Sequence, residues 1–450
     1  MREPRYKSIV DEFTVRIRSG KLVPGTQLPT TRELMRQYGV ALATASRVYA
    51  ELGEIGLVVG ETGRGTFVRD TTLPRTMGLE QRPARSGVID LGLNNPLLPG
   101  QDEMLRAGLR AMAASGDLNA LLHPSPHGGR PHERQMFARH LRNRGIRVPG
   151  DQVLIVNGAQ QGLSVAIMAM FQPGDVLAID ELTYPGMKNL AQQAHLDLVP
   201  VPQRPGYGGM DLDRLEALCR KRPLRGIYIM PTLHNPLGLV MPEADRVRVA
   251  AMAEKYGFVI IEDGAYSFLA EPAPPPIFTL APQRTIYVCG LSKSVASGLR
   301  LGFVAAPPEW MADIGYAIRV STWTASSLSI ALACLWIDNG TVDQLEDRKR
   351  KDARRRQTLA RRVLKGLDVR AHPSSYFQWL SLPPDMRIDQ VAARLERQGI
   401  LVVTSEPFST SMRMPHAMRI VLSGIASDVL EDVLAKVRRE VLGIAPGTRG

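Results

Sequence analysis

"TIYVCGLSKSVASGLRLGFV", residues 285–304, decides how most of this chain is read. An apolar run ends at Gly290, and one lysine, Lys293, follows among small residues. Arg300 stands seven positions later, just before a second apolar run. A lysine beside a buried strand is costly unless its amine is used or paired. The bland alternative is a surface lysine at a strand end, and the neighbouring segments have to decide between the two.

From about residue 89 short apolar runs alternate with helical stretches: "QVLIV", "VLAID", "LDLVPV", "GIYIM", "FVIIED", "TIYVCG" and "LGFVAA". That alternation predicts βαβ units around a largely parallel sheet. Several of the strand ends carry polar residues that complement a phosphorylated pyridine aldehyde. "FVIIEDGAY" ends on Glu262 and Asp263 and then Tyr266; a carboxylate there can pair with a protonated pyridine nitrogen, or can simply cap a helix. "VNGAQQG", residues 156–162, is a small-residue turn into a helix whose N–H groups can cradle a phosphate. Asn235, in "MPTLHNPLG", can donate to a phenolic oxygen or form an ordinary Asn-Pro turn. Tyr184, in "DELTYPG", can stack on a flat ring or sit at an interface. Arg300 suits bidentate phosphate binding, with Ser292 adding a hydroxyl.

The chain has 450 residues, enough for two or three domains, and at 44% hydrophobic it predicts a packed protein rather than a disordered one. Its 56 basic and 44 acidic residues leave a net charge of +12, which favours a polyanionic partner. Cys219, Cys289 and Cys334 are too far apart in sequence for a disulfide framework or a zinc cluster, and a reducing cytosol fits them. The charged N-terminus is unlike a signal peptide, and no apolar run has the length of a membrane span. No metal site is expected.

Residues 1–68 read as a separate unit. Ile9, Val10, Phe13 and Ile17 recur at helical spacing. "LPTTRELMRQYGV" predicts a short helix with a Thr30–Glu33 capping box and a stop at Gly39. A second helix follows at about 43–55, with Ala45, Val48, Tyr49 and Leu52 on one face, and "LVVGETGRGTFV" predicts a hairpin. Helix, helix, tight turn, helix, hairpin is the order of a winged helix-turn-helix. Residues 69–88 lack an apolar period and hold Pro74 and Pro83, which predicts a linker. Residues 346–365 hold ten basic and three acidic residues and lead into a smaller α+β region ending near 443. This run is read as a solvated helix, with an extended DNA-facing surface as the alternative.

In their order, the residues from 89 to 443 resemble the fold-type I pyridoxal-phosphate enzymes of the aminotransferase class I/II family. The resemblance implies that Lys293 is the Schiff-base lysine and that Asp263 pairs with the ring nitrogen. It implies that Asn235 and Tyr266 contact the ring hydroxyl, and that Tyr184 stacks on the ring. Ala159, Gln160, Ser292 and Arg300 hold the phosphate. Arg419, in "MRIVLS", grips a substrate carboxylate, unless it is only a strand-edge surface arginine. The chain departs from the family around "LLHPSPHGGRPHE", where Leu122 and His123 stand nearest the usual tyrosine that reaches the partner's phosphate.

Residues 6–68 resemble the GntR-type winged helix-turn-helix. Arg32, Thr44, Arg47 and Arg64 are placed to touch DNA. Ala41 and Leu42 stand where the recognition helix commonly opens with Ser-Arg. The N-cap is therefore weakened, typically by about 1 kcal/mol.

Such a head fused to an aminotransferase-like body resembles the MocR subfamily of transcriptional regulators. The expected fold is a winged helix-turn-helix (1–68), a linker (69–88) and an α/β fold-type I body (89–450) with a mostly parallel sheet and a smaller C-terminal α+β subdomain. The resemblance implies a head-to-tail homodimer with each head over the partner's body. It also implies pyridoxal 5'-phosphate, double-stranded DNA, and an amino acid or related amine effector sensed through external aldimine formation. The protein is expected in the cytoplasm, at the nucleoid. The alternatives are an active aminotransferase with an appended DNA-binding domain, and a DNA-binding protein whose body no longer holds the cofactor.

Overall fold

The computed structural model describes residues 5–61, 64–69, 87–115, 117–206, 208–383, 386–411 and 413–443. The greater part of the expected linker (70–86) and the tip of the expected hairpin (62 and 63) lie outside the described residues.

The front unit comprises α1 (Arg5–Arg18), α2 (Thr31–Tyr38), α3 (Leu42–Glu54), β1 (Val58–Glu61) and β2 (Gly65–Val68). α2 starts where its capping box predicts. The Thr30 hydroxyl accepts from the Glu33 N–H, and the Glu33 carboxylate accepts from the Thr30 N–H at 2.7 Å. It stops at Gly39, whose φ of 58° places it in the left-handed region. α3 starts at Ala41 with no side-chain cap, as its sequence implies. Phe13, Leu34, Ala45, Val48, Leu52 and Val68 fill the core between the helices and the antiparallel β1–β2 hairpin.

The body is built on seven strands: β3 (Val153–Val156), β4 (Val176–Asp180), β5 (Asp197–Val201), β6 (Gly226–Ile229), β7 (Val259–Asp263), β8 (Thr285–Gly290) and β9 (Gly302–Ala305). Their order is β3-β9-β8-β7-β6-β4-β5. β9 is antiparallel to both neighbours, and the other pairs are parallel. Helices cover both faces, which is why all but β5 read as unbroken apolar runs rather than alternating ones. α4 (Ala159–Met170) packs closely on the sheet through Gly162, where a Cβ would come within 2.6 Å of Val288. The carboxyl ends of β3, β6, β7 and β8 share one edge, and open α/β sheets bind ligands at such an edge.

α5 (Thr341–Val363) leads from the large sheet to a second one. That sheet is antiparallel, in the order β10-β11-β14-β12, from β10 (Val369–Arg370), β11 (Phe377–Ser381), β12 (Val403–Thr404) and β14 (Ala417–Val421). α6 (Ser427–Leu442) closes the subdomain over Leu380, Val391, Leu395 and Ile420. A two-residue strand, β13 (Arg413–Met414), lies between β12 and β14 in the chain but outside this sheet, and pairs in parallel with β1 of the front unit.

The basic run is not simply a solvated helix. Glu346, Lys349, Ala353, Arg356 and Ala360 recur at helical spacing along a buried face of α5. Buried charges there are compensated: Arg144 pairs with Glu346, and Arg356 donates to Asp352 and to the carbonyls of Leu422 and Ile425. The outward charges match the sequence reading, with Lys351 beside Asp347 and Arg362 beside Glu431. Among the described residues no helix is long and apolar enough to cross a membrane.

Candidate cofactor and effector site

A cavity of about 240 Å³ opens at the carboxyl edge of the large sheet. Nine of the residues singled out in the body line it: Ala159, Gln160, Tyr184, Asn235, Asp263, Tyr266, Ser292, Lys293 and Arg300. Arg419 joins them from the second sheet.

Lys293 lies one turn past β8, in the short helix Leu291–Ser294. Its Nζ donates to the Asn94 carbonyl. Burial, with Arg419 and Arg300 nearby, lowers its pKa to about 8. A useful fraction of the amine is therefore unprotonated near neutrality, as a nucleophile requires.

The strand alternation of β7 separates the two candidate carboxylates. Asp263 faces the cavity and accepts from Tyr228 Oη at 2.7 Å and from the Ala265 N–H at 2.8 Å. Glu262 points to the other face, where it accepts from the N–H groups of Ile277 and Phe278. Burial raises both, Glu262 to about 7. Asp263 is a buried carboxyl at the cavity wall with no cation bonded to it among the described residues, a setting that suits a cationic ring nitrogen.

The phosphate end is a turn. Gly158 has φ 81° and precedes α4. Arg300, itself in the left-handed region at φ 48°, is so close that a Cβ on Gly158 would come within 3.2 Å of its guanidinium. The N–H groups at the start of α4, the helix dipole and this guanidinium converge on one spot. Gln160 accepts from Tyr184 Oη at 2.9 Å, which fixes the tyrosine ring against the cavity.

Arg419, on β14, is buried and donates to Asn235 Oδ1 at 2.9 Å and to the Gly92 carbonyl. Its Nε has no hydrogen-bond partner among the described residues. Buried guanidinium groups are costly to leave part-satisfied, so this unused donor marks a place for an acceptor.

Three residues escaped the sequence reading. Asn94 bonds to Lys293 through its carbonyl, and its side chain donates to Tyr266 Oη and accepts from Ser423. Tyr228 holds Asp263. Lys349, on α5, is buried behind the turn and donates to the carbonyls of Lys293 and Val295. "LNNP", residues 93–96, is a polar cluster that could have drawn notice; the other two have no local signal.

This set of residues fits a phosphorylated pyridine aldehyde, and comparison with known proteins agrees. Residues 86–437 match the model for aminotransferase class I and II. The chain belongs to that family. Residues 5–68 match the bacterial regulatory proteins of the gntR family. The chain thus has the two-part build of MocR-subfamily regulators. It is 29% identical over 436 residues to YdeF, an uncharacterized HTH-type transcriptional regulator of Bacillus subtilis, covering 96% of this chain and 92% of that one. It is 27% identical over 333 residues to the probable rhizopine catabolism regulatory protein MocR of Rhizobium meliloti, over 68% of this chain and 66% of that one. A 2-aminoadipate transaminase of Thermus thermophilus is 25% identical over 84% of this chain and 95% of its own. Among solved structures, the α-aminoadipate aminotransferase LysN of Thermus thermophilus, complexed with N-(5'-phosphopyridoxyl)-L-leucine, shares the fold. Its TM-score is 0.72 at 23% identity, over 80% of this chain and 93% of that one.

In the head, Arg32 and Arg47 are exposed and Thr44 is half-buried. Arg47 stacks over the Tyr6 ring at 4.1 Å. Arg64 faces the body instead. It pairs with Glu61 at 2.7 Å, donates to the Met386 carbonyl at 3.2 Å and lies 3.2 Å from His416.

Proposed function

We propose that this chain is a pyridoxal-phosphate-dependent DNA-binding transcriptional regulator that senses an amino compound. The observation that carries the reading is the complete cavity around Lys293 on the same chain as a gntR-type head. When bound, the cofactor supplies an aldehyde that takes an amine. Lys293 would hold the cofactor through its amine, at the position where an effector's amine would compete for the aldehyde. Asp263 holds the ring nitrogen, Asn235 and Tyr266 the ring oxygen, and Tyr184 covers the ring. Ala159, Gln160, Ser292 and Arg300 hold the phosphate. Arg419 grips a carboxylate or sulfonate on the effector through its unused Nε. Arg32, Thr44 and Arg47 contact DNA, and Arg64 joins them only when released from Glu61, Met386 and His416. The division is head 1–68, linker 69–88 and body 89–450.

The working unit is a homodimer in the cytoplasm, at the nucleoid. Leu105, Leu109, Leu118, Leu122 and Trp323 are exposed apolar side chains of the body, which a second chain would cover. Leu122 and His123 stand near the end of a short helix, where they can reach a partner.

The test is retention of the protein's own upstream DNA at one stated salt concentration, against unrelated DNA of equal length. Specific retention that one amine alters, and that loses this response in Lys293→Ala, supports the regulator. A second reading, an active aminotransferase, rests on the same complete cavity; amino transfer to a keto acid over many turnovers would favour it.

A further inference from the structure

Arg246 stands in the first turn of the helix Glu243–Tyr256, outside the lining of the cavity, and is 0% exposed. Its Nε donates to the Met241 carbonyl at 3.0 Å, and its Nη1 to the carbonyls of Pro274 and Pro275 at 3.1 Å each. Its Nη2 donates to the Pro231 carbonyl and the Thr232 hydroxyl, both at 2.9 Å. A guanidinium has five N–H donors in a rigid fork, and here each one has an acceptor. A charge this deep is tolerated only when it is satisfied in such a way.

The acceptors belong to two loops. The first, residues 230–241, follows β6 and brings Met230 and Asn235 to the cavity. Its base closes on itself, because the Met241 N–H donates to the Pro231 carbonyl at 2.7 Å and Thr232 bridges Val240. Arg246 grips that base through Pro231, Thr232 and Met241. The second loop follows Asp263 and Tyr266 past the end of β7 and closes on "PAPPPI", residues 272–277. Proline has no N–H, so this run cannot supply donors for its own carbonyls, and Arg246 supplies them. Glu262, the neighbour of Asp263 on β7, accepts from the Ile277 and Phe278 N–H groups just beyond.

We propose that Arg246 is a positioning residue for the cofactor: from behind the cavity it locks the loop that carries Asn235 against the loop that follows Asp263 and Tyr266, and so fixes the contact at the ring oxygen. This rests on the cofactor reading above and adds the residue that holds its two loops in register. Asn235 Oδ1 accepts from Arg419, which leaves Nδ2 as the donor for the ring oxygen. A donor to an anionic oxygen favours the form in which that oxygen no longer shares a proton. Weaker donation therefore raises the pH at which the lysine-bound cofactor loses that proton.

The test uses the full-length, cofactor-loaded protein and reads the pH midpoint of the absorbance band of lysine-bound cofactor. Arg246→Lys keeps the charge and gives up the fork, because an ammonium has three donors on a flexible stem. It is expected to raise the midpoint by about half a pH unit or more and to weaken cofactor retention roughly tenfold. Thr232→Val removes one acceptor with little change of shape, and should move the midpoint the same way by less. In the cofactor-free form of both variants, hydrogen exchange of residues 230–241 should rise. Arg134→Lys is the matched control. Arg134 also donates to backbone carbonyls, those of Gly150, Asp151 and Val153, at the end of β3 away from the cavity. It should lower the melting temperature and leave the midpoint unchanged. Lys293, Asp263, Arg300, Arg419, Tyr184 and Tyr266, the titratable and charged groups lining the cavity among the described residues, are unaltered in every variant, so a shift reports their placement. Arg246→Lys and Thr232→Val proteins that fold with the wild-type midpoint and cofactor retention overturn the proposal. A shift of the same size in Arg134→Lys overturns it too. If Arg246→Lys does not fold, the midpoint of Thr232→Val decides. If wild-type protein loaded with pyridoxal 5'-phosphate shows no such band, the cofactor reading itself falls and the proposal with it, a failure seen before any variant is made.

Discussion

The cavity around Lys293 and the seam under the wing are both buried, polar and charged, yet they spend their charges differently. At the seam Glu61 faces Arg64, Arg387 and His416, and Arg69 faces Glu406. In the cavity like charges gather instead. Lys293, Arg300 and Arg419 all line it, Asp263 has a tyrosine and an N–H for partners, and Arg419 keeps an unused Nε among the described residues. Folding alone favours the first arrangement and penalises the second. A cluster whose charges oppose folding is therefore where a ligand is to be sought.

The largest expected effect is at Lys293. In Lys293→Ala the absorbance band of lysine-bound cofactor should disappear, and amines should no longer change DNA retention. A band that persists would move the attachment to another lysine and break the contrast at its centre. Next is Arg419→Gln. It should weaken a carboxylate-bearing effector by roughly 30- to 100-fold, the worth of one or two charge-assisted hydrogen bonds. The cofactor band should stay in place if Arg419 acts on the effector end, as proposed. Equal loss of cofactor and effector would make Arg419 a part of the cofactor's own support.

Much of this contrast was legible before the fold was known, and the boundary has a physical cause. The head's apolar period, the Thr30–Glu33 box and Gly39 are local signals, and the structure uses each of them. Lys293, Asp263, Asn235, Tyr184 and Arg300 were legible because turns at strand ends carry ligands in parallel sheets. Choosing Asp263 over Glu262 needed the resemblance, since adjacent residues of a strand look alike in sequence until one face of the sheet is known. Tyr228 and Lys349 reach the site from within β6 and α5, where they read as ordinary strand and basic-helix residues. The seam was out of reach for the same reason. β13 has two residues, and its partner strand lies in the other unit.

Stability separates the two regions more finely. Burial holds the pKa of Lys293 at about 8, below its ordinary value of 10.5. The unfolded chain therefore binds more protons between these values, and stability rises with pH across that window. Below pH 8 the cofactor-free protein carries the full penalty. Lys293→Met removes it, so at pH 7 the cofactor-free variant should melt a few degrees higher than wild type, at roughly 1 °C per kcal/mol for a chain of 450 residues. Arg387→Ala should melt lower, because it leaves Glu61 buried with one cation fewer. If both variants lose stability, the cavity is as self-satisfied as the seam.

Lys349 gives the smallest effect and the closest test, because it belongs partly to each class. Its ammonium is tied in one sense, donating to the carbonyls of Lys293 and Val295 at 3.0 and 2.6 Å and so holding them to α5. Yet burial, and then the charge of Lys293, lower its pKa to about 7, although Glu346 and Asp352 pull it back up. Those carboxylates are already engaged by Arg144, Arg356 and Tyr376. Wild-type stability therefore gains between pH 7 and 10.5 as this amine sheds its proton. Lys349→Met gives up that gain, and it also loses two hydrogen bonds worth about 1 kcal/mol each at any pH. The melting temperature of Lys349→Met relative to wild type should consequently fall as the pH of the cofactor-free protein is raised from 6 to 9. A constant offset over that range would mean that Lys349 is a tie like those of the seam. A falling one places it with Lys293, as a second buried amine whose charge the fold tolerates for the sake of the turn it holds.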